Sequence, residues 1–198
     1  LAIQSYQKAS ELGFAAEATY LAINAKTAMA FVMRSQGKLQ LAKETLLHAL
    51  AIDKDENIPA LGLVYILLGI IAYDQMHLKN AEDFINKGIE LARSGGLKDD
   101  LNWGMIFLSR VKAALGQQQE SVEIMDKAIM MIRAYQIPRI TNFALAFQAR
   151  MYLETHQIEK AKAWAFEYLA LRKSEPVEYL REIEDLTLVR VLIFLSEL

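Results

Sequence analysis

The stretch LAKETLLHALAID, residues 41–53, returns as LAIQSYQKASELG at 1–13, NAEDFINKGIELA at 80–92, ESVEIMDKAIMMI at 120–132 and KAKAWAFEYLALR at 160–172. A small residue opens each copy: Ala2, Ala42, Ala81, Ser121 and Ala161, at steps of 40, 39, 40 and 40 residues. Seven positions on stand Ala9, Ala49, Gly88, Ala128 and Tyr168, and three further on Leu12, Ile52, Leu91, Met131 and Leu171. Residues seven apart share one face of a helix, and small ones there let a neighbouring helix approach closely. The chain is therefore read as a helical repeat array of period about 40.

A second kind of helix precedes each copy except the first. Its small column is Ala30, Gly69, Ser109, Ala149 and Val189, with Val32, Ile71, Val111, Met151 and Val191 two places on. Such a stripe of small and large apolar side chains suits an antiparallel helix pair. Pro59, Pro138 and Pro176 stand just ahead of three of these helices, where a missing N–H costs nothing. QGKL, QMHLKN, GQQQE and THQIE read as short turns inside pairs, and DKDENIP and SGGLKDD as longer breaks between pairs. The expected order is a lone second helix, four complete pairs, and a closing first helix, all within one all-α domain spanning 1–198. Stacked pairs share one continuous core.

Composition narrows the function. The 198 residues are 54% hydrophobic with mean hydropathy +0.14 and a net charge of −2. No basic excess exists to neutralise phosphates, so direct nucleic-acid contact is not expected. With no cysteine there is no disulfide, thiolate metal site or cysteine nucleophile. The longest apolar run, ALGLVYILLGIIAY at 60–73, is shorter than the roughly 20 residues of a membrane span. His48, His77 and His156 do not pair at helical spacing, and no GxxxxGK[ST] phosphate cradle appears. Neither an enzyme nor a cofactor is expected in this stretch. Met125, Met130, Met131, Trp164 and Phe166 fall on second helices and read as core packing. A start at Leu1, with no helix-start signal, reads as a piece of a longer chain.

The turn-and-helix string GKLQLAKETLLHAL resembles a tetratricopeptide repeat, stretched from its usual 34 residues to about 40. The strings GIELARSGGLKDDLNWGMIFLSRVKAALGQQQESVEIMDKA and REIEDLTLVRVLIFLSEL are similar to the helical sensor segment of MalT-like, LuxR-family transcription regulators. The resemblance covers nearly the whole chain. It implies a right-handed superhelix of antiparallel helix pairs in a cytoplasmic regulator. In that family the superhelix stands between an ATP-binding switch domain and a DNA-binding helix-turn-helix, and receives a small-molecule inducer or a regulatory protein. A general tetratricopeptide scaffold that holds peptide segments of a partner is the alternative.

One signal exceeds the repeat itself. Arg110, Arg150 and Arg190 recur at a step of forty among apolar neighbours. By the resemblance, first helices line the concave wall. The positions one after, three before and six before the small column would then face the groove. The first set is Phe31, Ile70, Arg110, Arg150 and Arg190, the second Thr27, Ile66, Ile106, Ala146 and Leu186, and the third Asn24, Leu63, Trp103, Phe143 and Ile183. The candidate site is Tyr73, Trp103, Arg110, Phe143, Arg150 and Arg190. Two readings of the arginines stay open. Each pairs with a carboxylate of the next helix pair and sets the repeat angle, or the ladder holds a polar or anionic ligand. The closing helix, with Leu188, Val191, Leu192 and Leu195 on its apolar face, is expected to self-associate.

Overall fold

The computed structural model describes residues 1–52, 58–136, 138–172 and 181–196, and among these every regular element is helical. The helices are α1 (Ala2–Ala15), α2 (Thr19–Ser35), α3 (Leu39–Leu50), α4 (Gly62–Asp74), α5 (Leu78–Ser94), α6 (Lys98–Ala114), α7 (Gln118–Tyr135), α8 (Pro138–Glu154), α9 (Ile158–Arg172) and α10 (Glu182–Ser196), with a 3-10 turn at Pro59–Leu61. The order is the expected one: α1 is a lone second helix, α2/α3 to α8/α9 are pairs, and α10 is a first helix. Pro59 opens the 3-10 turn and Pro138 opens α8. Pro176 and the DKDE run lie outside the described residues.

The connections show why the period is 40. Glu17, Gly37, Met76, Gly96, Gly116, Gln136 and His156 all have positive φ, between 51° and 78°, and they stand at multiples of about twenty residues. Most of these turns share one hydrogen-bond pattern. At the α2–α3 turn the Gly37 N–H donates to Arg34 O and the Lys38 N–H to Met33 O; His77 to Ala72 O and Gln117 to Lys112 O repeat the longer bond. This is the Schellman closure, which satisfies the last carbonyls of one helix while a left-handed residue reverses the chain. The α4–α5, α5–α6 and α6–α7 connections, within pairs and between them, are thus alike. SGGLKDD is a correction: the break is only Gly95–Leu97, and Lys98, Asp99 and Asp100 already form the first turn of α6. Asp99 and Asp100 there face the positive end of the helix dipole.

The chain divides into two compact units, 1–121 and 122–198. In the first, successive first helices α2, α4 and α6 touch, and each packs on its neighbours in sequence. The small columns pack at helix contacts at Ala30, Ala42, Ala49, Ala81, Ser109 and Ser121, whereas Ala2, Ala9 and Val189 are exposed. A Cβ added to Gly88 would sit 2.6 Å from Gly62 O, and Ser109 and Ser121 exchange two hydrogen bonds, Oγ to backbone O, of 2.8 and 2.7 Å. The core includes Ile23, Leu46, Ile66, Ile71, Ile85 and Ile106, all essentially inaccessible. Buried charge crosses three helices: Lys112 Nζ lies 2.6 Å from Glu82 Oε1 and 3.0 Å from Glu120 Oε2. Hydrogen bonds and charge attraction hold the Glu82 carboxyl below the ordinary glutamate value. In the second unit Ala146, Ala149, Ala161, Trp164, Ala165, Tyr168 and Val191 form the core. Tyr168 fills a column that is small elsewhere, stacks on Trp164 at 5.4 Å, and donates its hydroxyl to Asp185 on α10.

Two packing expectations are corrected. Met130 and Phe166 are exposed rather than core residues, while Met125 and Trp164 are buried as expected. On α10, Val191 is inaccessible and Leu188 and Leu195 pack on the core, so the outward stripe is Leu186, Val189, Leu192 and Ile193.

A candidate ligand face on the first helices

The face can be located by exposure. The column six before the small residue (Asn24, Leu63, Trp103, Phe143, Ile183) is half-buried throughout. In the column one after it, Arg110 and Arg150 are half-buried and Phe31 and Arg190 exposed, but Ile70 is buried. The third expected column is wrong at four of its five positions: Thr27, Ile66, Ile106 and Ala146 are buried in the core, and Leu186 is exposed. Gly104 explains it, since a Cβ there would meet Ile89 and Ile66 side chains across the helix interface. The column that links the other two along the helix lies two before the small residue: Ala28 is half-buried, and Leu67, Phe107, Phe147 and Thr187 are buried beneath the face. Steps of four and three keep one face of a helix together, whereas a register slip of one rotates a column by about 100°.

In the first unit this face holds a connected cluster. The Trp103 and Phe107 rings on α6 are 5.4 Å apart. The Arg110 guanidinium carbon lies 5.0 Å from the centroid of the Phe107 ring and 4.9 Å from that of Tyr73 on α4. The charges of Asp74 and Arg34 also act on Arg110. Burial is the largest influence on it and lowers its pKa, against the attraction of Tyr73 and Asp74. Asp74, the last residue of α4, accepts from Arg34 of α2 through both oxygens, Oδ2 from Nε at 2.7 Å and Oδ1 from NH2 at 3.2 Å. The first helices α2 and α4 are thereby joined through charge.

In the second unit α8 repeats the pattern. Phe143 and Phe147 meet edge to face at 4.7 Å, and the Arg150 guanidinium lies over Phe147 at 5.4 Å. Arg150 reaches α10, donating from Nε to Thr187 Oγ1 at 2.7 Å and from NH2 to Ile183 O at 3.5 Å. Arg190 is exposed on α10. Of the six expected residues, the structure thus joins Tyr73, Trp103 and Arg110 through Phe107, and Phe143 and Arg150 through Phe147. Sequence reasoning missed Phe107, Phe147 and Thr187, although the spacing of forty between WGMIFLSR (103–110) and FALAFQAR (143–150) displays the two phenylalanines. The contacts described for the two arginines differ. Arg110 turns back to Tyr73 of the preceding pair, and Arg150 turns forward to a hydroxyl and a carbonyl.

A separate cleft of about 640 Å³ lies among α1, α2 and α3, with Met29, Met33 and Thr45 beside Gln7, Lys8 and His48. It contains none of the expected residues. Among the described residues no cluster of His, Asp or Glu is arranged to hold a metal ion, and no helix is long and apolar enough to cross a membrane.

The sequence pattern of the MalT-like TPR region matches residues 1–198. Comparison with curated protein sequences finds no match. Among solved structures, BtubC (BKLC) from P. vanneervenii is similar at 12% identity, covering 98% of this chain and 90% of that chain with a TM-score of 0.71. The STAND signal-transduction ATPase with a tetratricopeptide repeat sensor from Pyrococcus horikoshii is similar at 19% identity over 98% of this chain and 30% of that chain, TM-score 0.64. The apo form of RapI is similar at 15% identity over 87% and 70%, TM-score 0.64. At these identities the structural likeness shows the fold, a tetratricopeptide-like helical array.

Proposed function

We propose that this chain, which belongs to the MalT-like TPR family, is the effector-sensing region of a cytoplasmic transcription regulator and receives an inducer or a regulatory protein on the exposed side of its first helices. The family carries the coarser part, a helical-repeat scaffold for sensing or protein interaction. One observation carries the finer part. An aromatic residue, a phenylalanine and an arginine recur at i, i+4 and i+7 on α6 and on α8, and the first and last members of each set are half-exposed. A buried phenylalanine holds each arginine, so the polar edge is set in place before any ligand arrives, which lowers the entropy lost on binding. Such a face suits a ligand with both flat apolar and polar parts. The fold likeness to a STAND ATPase whose tetratricopeptide region is described as a sensor agrees with this reading. ATP and DNA binding would belong to other parts of the regulator. A ligand would switch it only through unequal affinity for two states of the array.

Site-specific photo-crosslinking tests the reading. A photoreactive phenylalanine analogue replaces Trp103 or Phe143 on the first helices, and Met130 or Phe166, both exposed on second helices, as controls. Cells expressing each variant are irradiated and the adducts identified by mass spectrometry. Adducts confined to positions 103 and 143 are expected, and their mass separates a small inducer from a peptide of a partner. Equal labelling at all four positions, or none at 103 and 143, rejects a ligand face on the first helices.

A further inference from the structure

The α2/α3 pair departs from the pairs that follow it at two positions. Four places before the small residue of each first helix stand Lys26, Tyr65, Met105 and Leu145. Three places after the small residue of each second helix stand Thr45, Phe84, Ile124 and Trp164. From α4/α5 onward both columns thus hold large apolar side chains. In α4/α5 the Tyr65 and Phe84 rings lie 6.4 Å apart, with Tyr65 buried and Phe84 half-buried. In α2/α3 a lysine and a threonine replace the two rings, and there the cleft of about 640 Å³ opens among α1, α2 and α3.

The floor of the cleft is α2, where Met29 and Met33 are buried and Lys26 is half-buried beside them. Methionine adapts to irregular shapes, and its sulfur makes favourable contacts with the edges of aromatic rings. Thr45 satisfies its own hydroxyl by donating to Leu41 O at 2.8 Å, so it asks no polar partner of a guest. At the rim Glu11 and Glu44 are exposed and accept from Gln7 and Gln40, each at 2.8 Å. Exposed charges of that kind are largely screened by water and salt. Lys26 differs from them. It is half-buried, and among the described residues it has no ion pair or hydrogen bond. An ammonium withdrawn from water gains most from an anion brought to it. At about 100° per residue, Lys26, Met29 and Met33 lie on the side of α2 opposite to Asn24, Ala28 and Phe31, so the cleft is separate from the face on the first helices.

We propose that this cleft is a ligand site of its own, and that it takes a small two-ring aromatic acid. The rings occupy over Met29 and Met33 the place that Tyr65 and Phe84 fill in the next pair, and the acid group pairs with Lys26. The volume lies within the range of roughly 300–1,000 Å³ usual for small-molecule pockets. The site does not depend on the reading of the first helices and stands or falls separately from it.

The test follows the methionine methyl signals of the purified chain by carbon-13 NMR, with Met29 and Met33 assigned through substitution by leucine. The probes are 2-naphthoate, its neutral analogue 2-naphthamide, and N-acetyltryptophanamide, which stands for an aromatic side chain of a protein partner. 2-Naphthoate is expected to shift the Met29 and Met33 signals and to leave those of Met76 and Met130, exposed elsewhere, in place. The amide should bind about tenfold more weakly, the loss of one charge-assisted hydrogen bond partly open to water. Lys26→Met should reduce 2-naphthoate binding to the level of the amide. Lys26→Tyr combined with Thr45→Phe reproduces the α4/α5 arrangement; it should melt no lower than the native chain and lose the 2-naphthoate shifts. Should the double variant misfold by circular dichroism, Thr45→Phe alone replaces it. Unmoved Met29 and Met33 signals at millimolar 2-naphthoate, equal shifts at all methionines, or binding that survives in the filled variant overturn the site. Equal binding of acid and amide, or an unchanged affinity in Lys26→Met, overturns the acid. Tighter binding of N-acetyltryptophanamide than of 2-naphthoate overturns the small acid in favour of a partner's aromatic side chain.

Discussion

Arg150 decides how much of the arginine ladder is architecture. Its Nε donates to Thr187 Oγ1 at 2.7 Å, NH2 reaches Ile183 O at 3.5 Å, and the guanidinium covers Phe147 at 5.4 Å. Arg150→Met keeps the apolar stem and removes all three polar contacts. A hydrogen bond to a charged group contributes about 1.5–3 kcal/mol when buried. Arg150 is half-buried, so part of that is returned by water, and the expected loss is about 1–2 kcal/mol. Thr187 is inaccessible and also donates to Ile183 O at 2.7 Å, so Thr187→Val loses two contacts at constant shape. The pair in a double-mutant cycle, followed by urea denaturation and far-ultraviolet circular dichroism, should show a coupling near 1 kcal/mol, well above the ~0.3–0.5 kcal/mol scatter of independent sites. A coupling within that scatter would refute the hydrogen bond as a brace between α8 and α10.

Two further outcomes are expected. Glu184 is buried, one carboxyl oxygen has no hydrogen-bond partner, and burial raises its pKa above the ordinary 4.5. The folded chain then holds this proton more tightly than the unfolded one, so stability falls as pH rises through that range; Glu184→Gln should raise the melting temperature at about pH 7 and lose its advantage below about pH 4. The exposed stripe Leu186, Val189, Leu192 and Ile193 on α10 should drive association at high concentration, and Val189→Glu should return the chain to monomer by light scattering; a wild-type monomer at the same concentration contradicts this.

Much of the fold was legible because the repeat is written in small residues. Gly69, Gly88, Ser109 and Ser121 stand where backbones touch, and only small side chains fit there. The left-handed turn residues were less legible. Four of those described are Glu17, Met76, Gln136 and His156, which cost more in that conformation than glycine, so composition does not announce them. The helix faces were legible to within one residue. An error of that size exchanged Phe107 and Phe147 for the buried Ile106 and Ala146, and so hid the two rings that hold the arginines. Met130 and Phe166 misled for another reason: apolar character alone does not say which side of a second helix meets the core.

The two arginines turn in different directions. Arg110 turns back to Tyr73, in the last turn of the preceding first helix. Arg150 turns forward to Thr187 and Ile183 of α10. A half-buried guanidinium must find acceptors, and the repeat supplies them on one side or the other. Equal spacing in sequence therefore does not make equal sites. Arg110 is packed between the rings of Tyr73 and Phe107. Arg150 bonds a hydroxyl and a carbonyl of the next first helix, and its loss should register in stability.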